Sequence, residues 1–211
     1  MTKPISPLVI IVIQLVLVVE AVTALFTGPL NVAFVAVATL VLIQLTRTAT
    51  RWIGIVFPRS ILAAIVVFIF ATIFLGEVAD FYERFWWWDI AMHFGSALGF
   101  GMVAFLLIYM LFEGDRYAAP PGAMAFLSLC VAVTIGVLWE IFEFAMDELF
   151  GFNMQKSGLY DTMGDLIVNT VGGGVGALSG YLFLKGRQMG GVGGVMAEFI
   201  HLNRRLFRRR R

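Results

Sequence analysis

The sequence is short of charge and of cysteine. Of its 211 residues, 14% are charged and 60% are apolar, whereas soluble domains carry about 25% charged and about 45–50% apolar residues. The mean hydropathy of +0.91 excludes a cytosolic globule and a disordered chain, and the single cysteine, Cys130, excludes a disulfide scaffold. The composition therefore fits an integral membrane protein.

Hydrophobic segments recur along most of the chain. A spanning helix needs about 20 apolar residues, and six segments meet this requirement at 8–26, 29–45, 61–79, 89–112, 123–150 and 161–184. We expect the first to be a retained helix rather than a signal peptide, because its apolar run is long and no A-x-A site follows it. The sequence predicts an all-α polytopic bundle of six transmembrane helices, which forms a membrane domain over residues 1–185.

The basic residues predict the orientation of these spans. Six spans place both termini on one side, together with a polar loop that holds Arg47, Arg51 and Arg59. On that side lie 13 of the 15 Lys and Arg residues, and only Arg84 and Lys156 lie on the other. The positive-inside rule then puts both termini in the cytoplasm.

The C-terminal segment 186–211 has a different composition. It begins with a glycine-rich stretch, predicted to be a flexible hinge, at Gly190, Gly191, Gly193 and Gly194. An apolar helical stripe follows at Val195, Phe199, Leu202 and Leu206, with arginines at 204, 205 and 208–211. This pattern predicts a basic amphipathic helix on the anionic inner leaflet. An ordinary stop-transfer flank is the alternative, and nucleic-acid binding is not predicted.

The acidic residues concentrate on the opposite side of the membrane from the bases. That side holds 11 of the 14 carboxylates, and several lie inside helices, where unpaired charge is costly. Asp89 and His93 are four residues apart and share a helix face. By the rise of about 1.5 Å per residue, His93, Glu140 and Asp165 reach the same depth on three helices.

Carboxylates and an imidazole at one depth favour a divalent metal ion as cofactor, because an ion offsets their mutual repulsion. The candidate metal ligands are Asp89, His93, Glu140, Glu143, Asp161 and Asp165. From this set, His93, Glu140 and Asp165 are the candidate catalytic residues, and Asn169 is expected to orient a ligand.

Three functions remain open at this stage. The leading one is metal-assisted hydrolysis or transfer on a lipid or lipid-linked phosphate, in which the ion polarises phosphoryl oxygen or activates water. A proton- or metal-ion-coupled transporter and a structural or binding protein with a hydrogen-bonded polar cluster are the alternatives. Whether the protein is an enzyme is left undecided, membrane lipid is the expected partner, and no oligomeric state is predicted.

Small residues predict where the helices approach closely. Gly172, Gly176 and Gly180 have the small-xxx-small spacing that brings two backbones together, and Gly95 and Gly99 have the same spacing. We expect these two faces to join the helices that carry the polar residues.

The polar residues also form a recognisable set of motifs. The segment from Trp88 to Phe94 resembles the Asp-x3-His-Phe motif of VanZ-like and YjdF-type bacterial inner-membrane proteins. Asp161 to Asp165 resembles the Asp-Thr-x-x-Asp of the YjdF type, and Asn169 and Gly172 complete an Asp-x3-Asn-x2-Gly pattern common to both.

The resemblance covers a motif-bearing core within 89–185, in which Glu140 and Glu143 match a Glu-x2-Glu pair of the YjdF type. Ile90 stands where the VanZ type has Lys, which favours the YjdF type. The resemblance implies a multi-pass protein of the bacterial inner membrane. The VanZ branch suggests envelope or lipid-linked substrates by analogy.

Overall fold

The chain is mainly helical in the part that the computed structural model describes, residues 7–28, 30–112, 119–187 and 190–205. In chain order the helices are α1 (Pro7–Thr27), α2 (Leu30–Ile53), α3 (Arg59–Ile69), α4 (Phe81–Arg84), α5 (Trp88–Phe112), α6 (Pro121–Phe150), α7 (Leu159–Leu184) and α8 (Gly190–Leu202). The α3 helix continues as a π-helix over Phe70–Val78. Helices are the only regular elements among these residues, which confirms the all-α class.

Five helical segments in the described ranges are long and apolar enough to cross a membrane: Leu8–Phe26, Arg59–Val78, Trp88–Phe112, Pro121–Phe150 and Leu159–Leu184. They correspond to five of the six predicted spans and confirm a polytopic membrane bundle.

The remaining predicted span, the second in chain order, lies in α2, whose apolar part, Val32–Thr46, is shorter than the other five. This helix continues to Ile53, so positions 47 and 51 are helical and the prediction of a loop there was wrong. The α2 sequence contains no glycine or proline that would end the helix earlier. Gly54, with a positive φ of 70°, comes directly after the last helical residue.

The helices form two compact units. One contains α1 to α4 together with residues 197–203, and the other contains α5 from Asp89, α6, α7 and the first half of α8. The core of the first unit is an apolar cluster from α1, α2 and the α3–π segment, with Leu17 and Ile43 fully buried and Phe74 nearly so. In lipid these side chains stabilise the unit by van der Waals packing between the helices, because lipid tails are as apolar as the side chains themselves.

A side-chain clip fixes the end of α8 within the first unit. Asn203 accepts a hydrogen bond from the Val56 N–H (2.8 Å) and donates one to the Val56 carbonyl (2.7 Å). The Phe57 and Phe199 rings lie 5.6 Å apart beside it. Both anchoring residues are buried, with Phe199 2% and Asn203 4% exposed.

The α8 helix differs from the predicted tail in two respects. The α8 helix begins at Gly190, in the stretch predicted as a flexible hinge, because tertiary packing overrides the low helix propensity of glycine. Its buried face includes Phe199 and Asn203, whereas Leu202 of the predicted stripe is exposed. Leu206 and residues 208–211 lie outside the described residues, and binding of the tail to the anionic leaflet stays a prediction.

Replacing Asn203 by alanine is expected to lower stability by about 2 kcal/mol, because the Val56 N–H and carbonyl both lose their partner. Asn203→Asp should cost at least as much, because its second carboxylate oxygen replaces the donor that faces the Val56 and Phe199 carbonyls. Thermal unfolding in detergent measures the effect, with exposed His201→Ala as the control. A midpoint for Asn203→Ala equal to that of the control would remove the clip as a stabilising contact.

In the second unit, each long helix buries one stripe of residues. Polar side chains occupy one end of each stripe, and the rest of the stripe consists of small residues. The stripe residues are His93, Ala97, Gly101 and Ala104 on α5; Ser128, Ala132, Gly136, Glu140 and Glu143 on α6; and Asp165, Asn169, Gly172, Gly176 and Gly180 on α7. The start of α5, the end of α6 and the start of α7 therefore bring the polar residues to the same end.

Glycine allows α7 to approach the backbone of α5 and a small side chain of α6. A Cβ on Gly172 would lie 2.6 Å from the Phe94 carbonyl oxygen of α5, and a Cβ on Gly173 would lie 2.8 Å from the Ala132 Cβ of α6. The predicted close-approach face at Gly172 and Gly176 is thus confirmed.

The second predicted close-approach face was wrong. No described heavy atom lies within 4 Å of a Cβ built on Gly95 or Gly99. The α5 face that meets α7 carries Gly101, where a Cβ would lie 2.6 Å from the Gly173 carbonyl oxygen. Gly101 lies eight residues after His93 on the same helix face, whereas Gly95 and Gly99 are offset from that face by two residues, more than half a turn.

Candidate metal centre

Three side chains at the shared end of α5 and α7 form a compact group. Asp89 and His93 lie one turn apart on α5, and Asp165 lies in the second turn of α7. His93 Nε2 is 3.5 Å from Asp89 Oδ1 and 3.9 Å from Asp165 Oδ2. One ligand atom from each residue lies within 4.8 Å of the other two, so the group could hold a metal ion.

The three residues differ in exposure. His93 is 8% and Asp165 4% exposed, whereas 35% of the Asp89 side chain remains accessible. The group is therefore shielded from solvent on the side of α7 and accessible to solvent beside Asp89. An ion held there would have buried ligands and one accessible side.

Glu140 lies at the other nitrogen of the same imidazole. Its Oε1 is 3.9 Å from His93 Nδ1, and Asn169 Nδ2 is 3.3 Å from that nitrogen. Glu140 is 4% exposed, and neither carboxylate oxygen has a hydrogen-bond partner among the described residues. A buried carboxylate in this condition is costly unless a cation or a proton reaches it.

The two remaining candidate ligands have other partners. Glu143 Oε1 accepts a hydrogen bond from Trp139 Nε1 at 3.0 Å, and Asp161 Oδ2 accepts one from the Lys156 backbone N–H at 3.1 Å. Neither belongs to the compact group of three. Each contributes negative charge to the surroundings of that group.

The charges around the group are unbalanced. Glu140 is repelled by Asp89, Asp161 and Asp165 and attracted by His93. Lys156, which is exposed, adds an attraction to Asp89. Several carboxylates held together with one imidazole and one lysine form an arrangement that a divalent cation stabilises.

Asp147, for which the sequence alone predicts no role, holds the loop between α6 and α7. Its two oxygens accept hydrogen bonds from the Met154 and Gln155 N–H groups, at 2.7 and 2.9 Å. Gly151 ends α6 with a φ of 69°, the left-handed conformation that allows the chain to turn back. An acid in the last turn before such a glycine is the only signal in the sequence for this loop anchor.

The fold and this group of residues define a polytopic helical membrane protein with a carboxylate–histidine cluster at one end of the α5, α6 and α7 helices. A family model described as "Predicted membrane protein (DUF2238)" matches residues 6–186. The chain belongs to this family.

A curated relative is an uncharacterized protein of Thermotoga maritima, 38% identical over 102 residues. The match covers 46% of this chain and 50% of the relative, so the chain spans about half the length of the curated relative it matches. No solved structure matches the chain. The family supports the membrane-protein part of the resemblance noted above.

Proposed function

We propose that the protein binds a divalent metal ion through Asp89, His93 and Asp165, at the outer face of the membrane that it spans. The ion would serve in hydrolysis or transfer on a lipid or lipid-linked phosphate. The observation that carries the proposal is the geometry of the three ligand atoms, all within 4.8 Å of one another. Tetrahedral zinc needs its ligand atoms about 3.3 Å apart. The distances of 3.5 and 3.9 Å from His93 Nε2 are close to this spacing. The oxygens of Asp89 and Asp165, which lie within 4.8 Å of each other, would have to reach the same spacing.

The ligand set suits a reactive ion rather than a purely structural one. Structural zinc sites use four protein ligands, whereas catalytic sites use three and keep one position for water or substrate. The accessible side of Asp89 supports such an open position. An ion there would polarise a phosphoryl oxygen or activate water.

Two features support an anionic lipid-linked substrate. Exposed Lys156 lies in the loop anchored by Asp147, and its charge attracts the Asp89 carboxylate. The resemblance to YjdF-type and VanZ-like proteins of the bacterial inner membrane points to envelope substrates, by analogy.

The helix stripes weigh against transport through this unit. Between Asn169 and the opposite end of the three helices, the buried residues of α5, α6 and α7 in the described ranges are small or apolar, apart from Ser128 and Ser179. These two hydroxyls donate to carbonyls of their own helices, at 2.6 and 2.7 Å. A carrier would need polar groups that continue toward the other face.

Metal analysis of the purified protein tests the proposal. We expect one divalent ion per chain after dialysis, and loss of that ion in His93→Ala because Nε2 is the only nitrogen ligand of the group. Exposed His201→Ala is the matched control and should keep the ion. Equal metal content in His93→Ala and in the control would refute the site.

The reaction is tested by phosphate release from a lipid phosphate in vesicles, which we expect for the wild type and not for His93→Ala.

A further inference from the structure

The two ring nitrogens of His93 face different groups. Nε2 faces the carboxylates of Asp89 and Asp165. Nδ1 faces Glu140 and Asn169. The lone-pair directions of the two nitrogens diverge, so one ion cannot bind both. The imidazole therefore has one nitrogen for the ion and one for support.

The position of the imidazole hydrogen determines whether Nδ1 needs a hydrogen-bond donor or an acceptor. A neutral histidine carries one N–H, and the nitrogen that binds a metal must be the bare one. An ion on Nε2 thus places the hydrogen on Nδ1, which then requires an acceptor. As placed, the Asn169 amide presents its Nδ2 donor to Nδ1 at 3.3 Å, so it cannot serve in this orientation and must turn when Nδ1 carries the hydrogen.

Glu140 is the acceptor in the right place. Its Oε1 lies 3.9 Å from Nδ1, and both its oxygens are buried without a described hydrogen-bond partner. A charge-assisted N–H···O bond is about 2.7–2.9 Å long, so a closure of about 1 Å completes it.

On the basis of the proposed function, we propose that the ion binds His93 Nε2 with Asp89 and Asp165, and that Glu140 is a positioning residue that accepts the Nδ1 hydrogen. Glu140 then fixes the ring orientation and increases the basicity of Nε2 without touching the ion. Metal-binding histidines commonly use a carboxylate in this way. The assignment explains why α6 buries a carboxylate beside the group that α5 and α7 form.

Cobalt(II) titration of the full-length protein in detergent tests this assignment, because cobalt reports both affinity and ligand geometry by its visible spectrum. We expect Glu140→Ala to weaken cobalt binding about 10- to 100-fold, with one ion per chain and a similar spectrum. Glu140→Gln should lose less, because its Oε1 still accepts the Nδ1 hydrogen. Glu148→Gln, an exposed carboxylate two turns further along α6, should bind as the wild type does. Asp89→Asn and Asp165→Asn should each change the spectrum.

Several results would overturn the assignment. Loss of the bound ion in Glu140→Gln, with the spectral change of Asp165→Asn, would make Glu140 a ligand. Unchanged affinity in Glu140→Ala would leave it without a role. Normal binding and spectra in both aspartate variants would place the ion on Nδ1. Far-UV circular dichroism shows that each variant is folded, and Glu140→Gln keeps the side-chain shape. A wild-type protein that binds no cobalt, zinc or manganese would instead refute the proposed function itself.

Discussion

Gly176→Ala is expected to destabilise the second unit by about 1–3 kcal/mol, the usual range for overpacking. A Cβ at this position collides with the Leu98 carbonyl oxygen and lies 3.0 Å from the Met102 backbone nitrogen. Both are backbone atoms of α5, so no rotamer change can make room and the two helices must separate. This penalty exceeds the helix-propensity gain of up to about 1 kcal/mol that alanine brings.

Gly174→Ala is the matched control, because no described heavy atom lies within 4 Å of a Cβ built there. This variant keeps the propensity gain without the collision and should be as stable as the wild type or more stable. Thermal unfolding of both variants in the same detergent measures the difference. Separation of α5 from α7 should also weaken metal binding, since Asp89 and Asp165 lie on different helices. Equal stability of the two variants would contradict the close packing of α7 on α5.

The sequence predicted the long helices well because their signal is local. Apolar runs placed the starts and ends of α5 and α6 within two residues of those observed. The rise per residue placed His93, Glu140 and Asp165 at one level, and the structure brings them to one end of the second unit. These inferences need only one helix at a time, or a comparison of depths.

What the sequence did not predict depends on contacts between distant residues. The choice of Gly101 over Gly95 and Gly99 follows from which face of α5 meets α7, and the spacing of small residues occurs on both faces. Ring orientation at His93 decides which carboxylate faces which nitrogen, and nothing in the spacing specifies it. The clip between Asn203 and Val56 joins residues 147 positions apart. Helical periodicity carries no information about such pairs.

Removing bound metal with a chelator is expected to lower the unfolding midpoint of the protein in detergent. The proposed ion joins α5, through Asp89 and His93, to α7, through Asp165. An ion that binds the folded state alone stabilises it by about 4 kcal/mol when its free concentration is 1,000 times the dissociation constant. Chelation removes this contribution and restores the repulsion between the two carboxylates.

A ligand variant tests whether the change in unfolding midpoint comes from this site. In Asp165→Asn the chelator should change the midpoint little, because the link to α7 is already weakened, whereas His201→Ala should respond as the wild type does. Returning zinc to the chelated wild type should restore the midpoint, and each tenfold rise in free zinc above the dissociation constant should add about 1.4 kcal/mol. A midpoint that does not depend on free metal in the wild type would contradict an ion between α5 and α7. A loss of the same size in Asp165→Asn would show that the chelator acts elsewhere, because the proposed ion has no bridge between the two helices without that carboxylate.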